Sequence, residues 1–288
     1  MAQRHNFIEV RLMLTTACNL NCTYCYMMKM CDKVEGMTLE QVDKIMEFID
    51  REVVEGVKID FFGGEPLLRF DLIRHVVEKY PMLDYGLSTN AILLTDEMVE
   101  FFKKHKDSVL VQLSLDGTVA TQIKNRGQCP DYGLIKRVLN ETQSTVRMVV
   151  DDPWKLHHDV EFIVGLGAKI IKVGIPIFKV NSAGYKGIFL DQLEEAKTKF
   201  PGIKIEPDSM SCEQACYATN THIAFSPNGD IYPCDIFYFK NMFKIGDITT
   251  GIDKEAIRKF QEDVKDSFDP DVPCLAHKMF MKDSWINQ

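Results

Sequence analysis

Three cysteines in one short stretch are the residues most able to do chemistry in this chain. Thr15–Tyr26 reads Thr-Thr-Ala-Cys-Asn-Leu-Asn-Cys-Thr-Tyr-Cys-Tyr. Cys18, Cys22 and Cys25 therefore take the spacing C-x-x-x-C-x-x-C, with Tyr24 directly before the last. Thiolates this close together hold soft metal centres, which means iron–sulfur clusters, zinc or copper(I). Structural zinc wants four ligands, usually as paired C-x-x-C units, and no second pair stands nearby. Three ligands suit a [4Fe–4S] cube with one iron left open to something that is not protein. In a chain of 288 residues with nine cysteines, chance produces this spacing on the order of one time in a hundred.

A thiolate loop of this kind needs rigid elements around it. Segments rich in β-branched residues alternate with amphipathic helical ones, the pattern of an α/β protein with a parallel sheet. Residues 7–14 form the first expected strand, and the cysteine loop follows its carboxyl end. Thr38 reads as a helix cap with Gln41 in capping-box position, and Leu39, Val42, Ile45, Met46 and Ile49 recur on one helix face. Further strands are expected over 57–62, 83–88, 109–115, 145–150 and 170–175. Helices are expected over 71–79, from Thr95, and over 132–142, 156–166 and 190–199. These make six βα units, short of the eight of a full barrel. Beyond residue 200 the texture changes. A hairpin is expected over 221–233, turning at Asn228-Gly229, with a last helix over 254–264. The expected domains are residues 1–200 and 201–288.

The cysteine spacing with its preceding tyrosine resembles the cluster-binding motif of the radical S-adenosylmethionine (SAM) superfamily. That resemblance implies a partial (β/α)6 TIM-like barrel. It also implies SAM chelating the open iron, reductive cleavage of the sulfonium, and a 5′-deoxyadenosyl radical that takes a hydrogen atom from substrate. Other motifs fit the same family. Gly63, Gly64, Glu65 and Pro66 at a strand end resemble the segment that contacts the methionine amino group. Glycines let backbone come close there, and carbonyls and a carboxylate accept from an ammonium. Ser114-Leu115-Asp116-Gly117 and Arg126 resemble positions that contact the cofactor's ribose and carboxylate, and an arginine holding a carboxylate is sound chemistry. Ser88 and Asn90 resemble a further active-site segment, with strand-end turn residues as the plainer reading. The resemblance gives Tyr24 a part in placing adenine.

Four cysteines lie beyond residue 200, at Cys212, Cys216, Cys234 and Cys274. Their order around the Asn-Gly hairpin resembles the opening of SPASM/twitch domains. The C-x-x-C-x5-C-x3-C run of a full SPASM domain is absent, so one auxiliary [4Fe–4S] cluster in a small twitch-type domain is expected. A zinc site with the same four ligands is one alternative, and a three-cysteine cluster with an open iron, in which either Cys212 or Cys216 is spare, is another; His277 is a further candidate ligand. Cys129, three residues after Arg126, is a candidate hydrogen-atom donor, with packing as the alternative. Asp235 matches a position proposed as a base in oxidative relatives, with a solvated loop aspartate as the alternative. Cys31 reads as a buried thiol.

The remaining composition narrows the class. A net charge of −8 argues against a nucleic-acid-binding surface, and no apolar run approaches the ~18 residues of a membrane span. Cysteines without an export signal point to reduced thiols and a cytoplasmic protein. The leading expectation is a peptide-modifying radical SAM enzyme using SAM and two [4Fe–4S] clusters, with flavodoxin or ferredoxin as electron donor. Oxidation of a small-molecule alcohol or sugar is the alternative. A sulfatase-maturing enzyme is further off, because it would need a second auxiliary cluster, and a non-catalytic electron carrier would not need the SAM-contacting motifs.

Overall fold

The protein is described here from a computed structural model, which covers residues 9–27, 35–53, 56–176, 183–207, 222–238 and 242–266. Two compact units divide it. The first takes in residues up to Asn19, Tyr26–Leu87 and the described part of Ser211–Asp283; the second takes in Leu20–Cys25 and Ser88–Met210 as far as described.

In the first unit, β1 (Glu9–Thr15), β2 (Lys58–Gly63) and β3 (Asp84–Thr89) run parallel, in the register Val10↔Ile59↔Tyr85. On the other side of β1 lies β8 (His222–Phe225), also parallel, with Val10 opposite Ile223. Parallel strands covered on both faces read as continuous apolar runs. These four alternate instead. Val10, Leu12, Ile59, Phe61 and Phe225 are fully buried, and Phe61 stacks on Tyr85 at 5.6 Å. Glu9, Arg11, Lys58, Asp60 and His222 fall on the opposite side of the pleat, because strand side chains alternate. Gly86, opposite Asp60, makes room for them: a Cβ there would run into Asp60 Oδ1 and lie 2.8 Å from Lys58 Nζ.

Helix α1 (Leu39–Glu52) starts with the expected capping box. Thr38 Oγ1 accepts from the Gln41 amide at 3.2 Å, and Gln41 Oε1 accepts from the Thr38 amide at 2.7 Å. Leu39 departs from expectation: it is 48% exposed, whereas Val42, Ile45, Met46, Phe48 and Ile49 are buried. At ~100° per residue Leu39 stands roughly 90° from the middle of that stripe. Phe48 takes the opposite edge, ring edge-on to Phe225 at 5.8 Å, so the buried face is turned toward β8. After β2 come a 3₁₀ turn (Pro66–Arg69) and α2 (Phe70–Lys79).

The second unit holds four parallel strands in the order β4 (Val109–Ser114), β5 (Gln143–Val149), β6 (Ile170–Gly174), β7 (Lys204–Pro207). Its helices are α3 (Asp96–Lys104, capped by Thr95), α4 (Val119–Arg126), α5 (Tyr132–Glu141), α6 (Leu156–Gly165) and α7 (Ala183–Lys199). All six expected βα units are present. Two elements of this unit escape the sequence reading. Strand β7 is a four-residue edge strand ending in proline, which edges tolerate. Helix α4 is amphipathic in reverse: Thr121, Gln122, Asn125 and Arg126 are buried while Val119 and Ile123 are about half exposed.

The carboxyl-terminal part of the first unit contains the expected hairpin, β8 with β9 (Asp230–Tyr232), antiparallel. The Gly229 amide donates to Ser226 O at 3.0 Å across its turn. Short elements α8 (Asp235–Tyr238), β10 (Gly246–Asp247) and β11 (Gly251–Ile252) follow, none of them foreseen, then the expected α9 (Lys254–Asp266). Phe237 and Phe260 pack edge-to-face at 5.4 Å, with Phe243 within 5.2 Å of both.

Candidate cofactor site

Cys18, Cys22 and Cys25 follow the carboxyl end of β1, each partly exposed and none in a disulfide. The segment leading into Cys18 lies against Gly63–Glu65. The Gly64 amide donates to Thr15 O at 2.8 Å and the Glu65 amide to Ala17 O at 2.9 Å. A Cβ on Gly63 (φ +141°) would collide with Thr15 O, and one on Gly64 with Ala17 O. The two glycines therefore admit the cysteine loop's own backbone. Glu65 is buried, and its Oε1 accepts from the Leu67 amide at 3.0 Å, capping the 3₁₀ turn that Pro66 opens. Thr15 and Thr16 are held from the far side of the loop, where Glu35 O accepts from the Thr16 amide and from Thr15 Oγ1, each at 2.9 Å.

Within the second unit the rest of the loop is fastened to α4. The Cys25 amide donates to Cys22 O at 3.1 Å, and the Thr23 amide to Asn125 O at 2.9 Å. Asp116, fully buried after β4, is the hub. Its Oδ1 accepts from Arg126 Nη2 at 2.8 Å and from the Val149 amide at 3.1 Å; its Oδ2 accepts from the Tyr24 hydroxyl and from Asn125 Nδ2 at 3.3 Å. Gln122 Oε1 receives the Asp116 amide at 2.9 Å. The Arg126 guanidinium lies 5.5 Å from the Tyr24 ring centroid, a cation–π distance. Burial works against the Arg126 charge, but Asp116 outweighs it and the pKa rises above the usual arginine value. Burial, with Asp116 adding, pushes the Tyr24 phenol well up, so it stays a hydrogen-bond donor. Arg126 Nε is buried with no partner among the described residues, a charged donor still available to an acceptor.

Other expected residues fall as follows. Ser88 Oγ donates to Gln112 Oε1 at 3.1 Å. Asn90 Oδ1 accepts from the Ile92 amide at 3.0 Å, closing a strand-end turn through Ala91, whose φ is +64°. Ser114 ends β4 opposite Arg147. Cys129 Sγ donates to Val119 O at 3.8 Å, at the amino end of α4. Asp235 is no solvated loop residue: it is 2% exposed and opens α8. Cys234 is partly exposed and free of disulfide. Cys31, Cys212, Cys216, Cys274 and His277 lie outside the described residues.

Several participants escape a reading by motif. Gln122 and Asn125 sit on the reversed helix, and Arg11 on β1. Arg11 Nη1 donates to Asp235 Oδ1 at 2.7 Å and Nε to Glu9 Oε1 at 3.2 Å, with Asp60 at 3.6 Å. The signal for Arg11 was a charge set between Val10 and Leu12 inside the first strand.

The soft, partly exposed thiols of the loop and the unpaired Nε donor of Arg126 fit an iron–sulfur cluster with an anionic ligand. Comparison with known proteins agrees. Residues 12–199 match the model of the radical SAM superfamily, and residues 216–276 match that of an iron–sulfur cluster-binding domain, SPASM. The chain is 22% identical over 262 residues to the antilisterial bacteriocin subtilosin biosynthesis protein AlbA of Bacillus subtilis, covering 82% of this chain and 56% of AlbA. It is 24% identical over 277 residues to a cysteine-type anaerobic sulfatase-maturating enzyme of Clostridium novyi, covering 80% and 73%. The first curated relatives are matched over only 26–39% of their length. Among solved structures, Streptococcus suis SuiB bound to precursor peptide SuiA has a TM-score of 0.72 at 17% identity, covering 96% of this chain and 74% of SuiB. That likeness is one of fold. Among the described residues no helix is long and apolar enough to cross a membrane.

Proposed function

The chain belongs to the radical SAM superfamily, and from that premise we propose that it is a peptide-modifying enzyme with one auxiliary iron–sulfur centre. SAM and [4Fe–4S] clusters are the cofactors of these two domains, and when bound they supply one-electron chemistry that ends in removal of a hydrogen atom from substrate.

In this reading Cys18, Cys22 and Cys25 hold the first cluster. Gly63 and Gly64 keep the backbone of that loop in place, with Glu65 and Pro66 starting the turn behind them. Ser114 and Arg126 contact the cofactor's ribose and carboxylate, the guanidinium taking the carboxylate. Asp116 works behind it, fixing the guanidinium and the Tyr24 ring in one orientation. Ser88 and Asn90 complete the cofactor's polar contacts. Residues 201–288 form the auxiliary domain beyond a core of 1–200, with Cys212, Cys216, Cys234 and Cys274 as its ligands.

One observation carries the proposal: a cysteine loop tied through Tyr24 to a buried Asp116–Arg126 pair, in a chain that also matches an iron–sulfur-binding domain. Support for a peptide substrate comes from the peptide named with SuiB and the bacteriocin named with AlbA.

The test is anaerobic reconstitution followed by incubation with SAM, a flavodoxin or ferredoxin as electron donor, and a precursor peptide encoded beside the gene. We expect about eight irons per chain, 5′-deoxyadenosine, and a mass change in the peptide. Absence of SAM cleavage by reduced enzyme would overturn the reading. Cleavage that oxidises a small alcohol and leaves peptides unchanged would move the substrate class.

A further inference from the structure

Asp235 Oδ1 stands between two groups. Arg11 Nη1 donates to it at 2.7 Å, and Cys234 Sγ lies 3.5 Å from the same oxygen. The other oxygen, Oδ2, accepts from the Tyr26 hydroxyl at 3.1 Å, and Tyr26 follows Cys25 in the chain. One helical turn on, the Tyr238 hydroxyl donates to Glu35 Oε2. Thus α8, which starts directly after Cys234, is pinned at both ends to the segments flanking the cysteine loop.

A cluster-bound sulfur carries negative charge. Beside it the buried Asp235 carboxylate is a second negative charge at close range, and such a pair is unfavourable without compensation. Arg11 supplies that compensation and is itself fixed by Glu9, by Asp60 and by the face of Phe62, 5.5 Å away. Withdrawal from water works against the Arg11 charge, but Asp235 and Asp60 outweigh it and hold the guanidinium charged.

We propose that Arg11 is a positioning residue for the auxiliary iron–sulfur centre. Acting through Asp235, it fixes the Cys234 sulfur and balances the negative charge beside it. The inference rests on Cys234 being a ligand of that centre. Cluster potentials respond to nearby charge and to hydrogen bonds at the sulfurs. Removing the cation should therefore make the centre harder to reduce, and removing the Asp235 charge should make it easier.

The experiment uses the full chain in a Cys18→Ala, Cys22→Ala, Cys25→Ala background, which retains only the auxiliary centre, with its midpoint potential followed by EPR during redox titration. About four irons per chain are expected in this background. Arg11→Met should move the potential negative, Arg11→Lys should restore most of the change, and Asp235→Asn should move it positive. The Arg11→Met, Asp235→Asn double variant should return toward the parent value. If Arg11→Met does not fold, the sign of the Asp235→Asn shift decides. Loaded variants with unchanged potentials would overturn the role of Arg11. A background that binds no iron would overturn the ligand assignment instead, and the inference with it.

Discussion

Arg126 Nη2 donates to Asp116 Oδ1 at 2.8 Å in a pair whose side chains are 8% and 0% exposed. Both charges are out of water, so each depends on the other. Asp116→Ala leaves the guanidinium buried without its counter-charge, and a broken buried pair of this kind costs about 3–5 kcal/mol. Urea unfolding of the apo chain should show that loss. Replacing the pair by Asp116→Leu with Arg126→Met should recover only part of the stability: no charge is then left unpaired, but the Val149 amide, Asn125 Nδ2 and the Tyr24 hydroxyl still lose their acceptor. The double variant should still fail to bind SAM, since no cation remains for its carboxylate. SAM affinity preserved in the double variant would remove Arg126 from the cofactor site.

Gly64 meets the carbonyl of Ala17 with no room for a Cβ, and the obstacle is backbone, which cannot rotate away as a side-chain end would. Gly64→Ala should push the loop off its hydrogen bonds to Gly64 and Glu65 and displace Cys18, one residue further on. The expected result is a folded chain, by circular dichroism, whose iron content falls by about four per chain on reconstitution. Full loading of the variant would mean that the loop's position does not depend on this contact.

The strands and most helices of the core were legible because their burial follows period 2 or 3.6, and the Thr38–Gln41 capping box is local chemistry that needs no tertiary knowledge. Helix α4 was not legible for a physical reason. Gln122, Asn125 and Arg126 face inward and Val119 and Ile123 outward, the reverse of the pattern that marks a helix in sequence. Its inward side is polar because Gln122, Asn125 and Arg126 all bond to Asp116, so an element that helps to hold the cysteine loop is one that periodicity hides. The motif residues were found by spacing, but what they touch was not. That Gly63 and Gly64 make way for the backbone of Thr15 and Ala17 is a contact that no spacing shows. Arg11 and Asp235 are 224 residues apart, and no local pattern joins them.

His222 supplies a pH prediction. Burial holds its pKa below the usual histidine value near 6.5; Glu9 pulls it up, while Arg11 and Lys58 add to the depression. The folded state therefore prefers the neutral ring. Its contribution to stability is complete above about pH 6.5 and is lost as pH falls through the depressed folded value. Unfolding followed between pH 7.5 and 5.5 should show the parent chain losing stability toward acid more steeply than His222→Gln. Parallel curves would mean that the ring titrates alike in both states.

Cys129 is the last residue whose role the fold sharpens. Its Sγ donates to the carbonyl of Val119, the first residue of α4, at 3.8 Å. Arg126, proposed to hold the cofactor, is the last residue of that helix, about 10 Å further along its axis at 1.5 Å per residue. A thiol that returns a hydrogen atom must reach the substrate radical, and this one is turned back to the opposite end of the helix. Cys129→Ala should therefore form product at a yield within about twofold of the parent, with a stability loss of ~1 kcal/mol from the missing contacts. Loss of product in a variant that still cleaves SAM would return the thiol to the reaction as the donor.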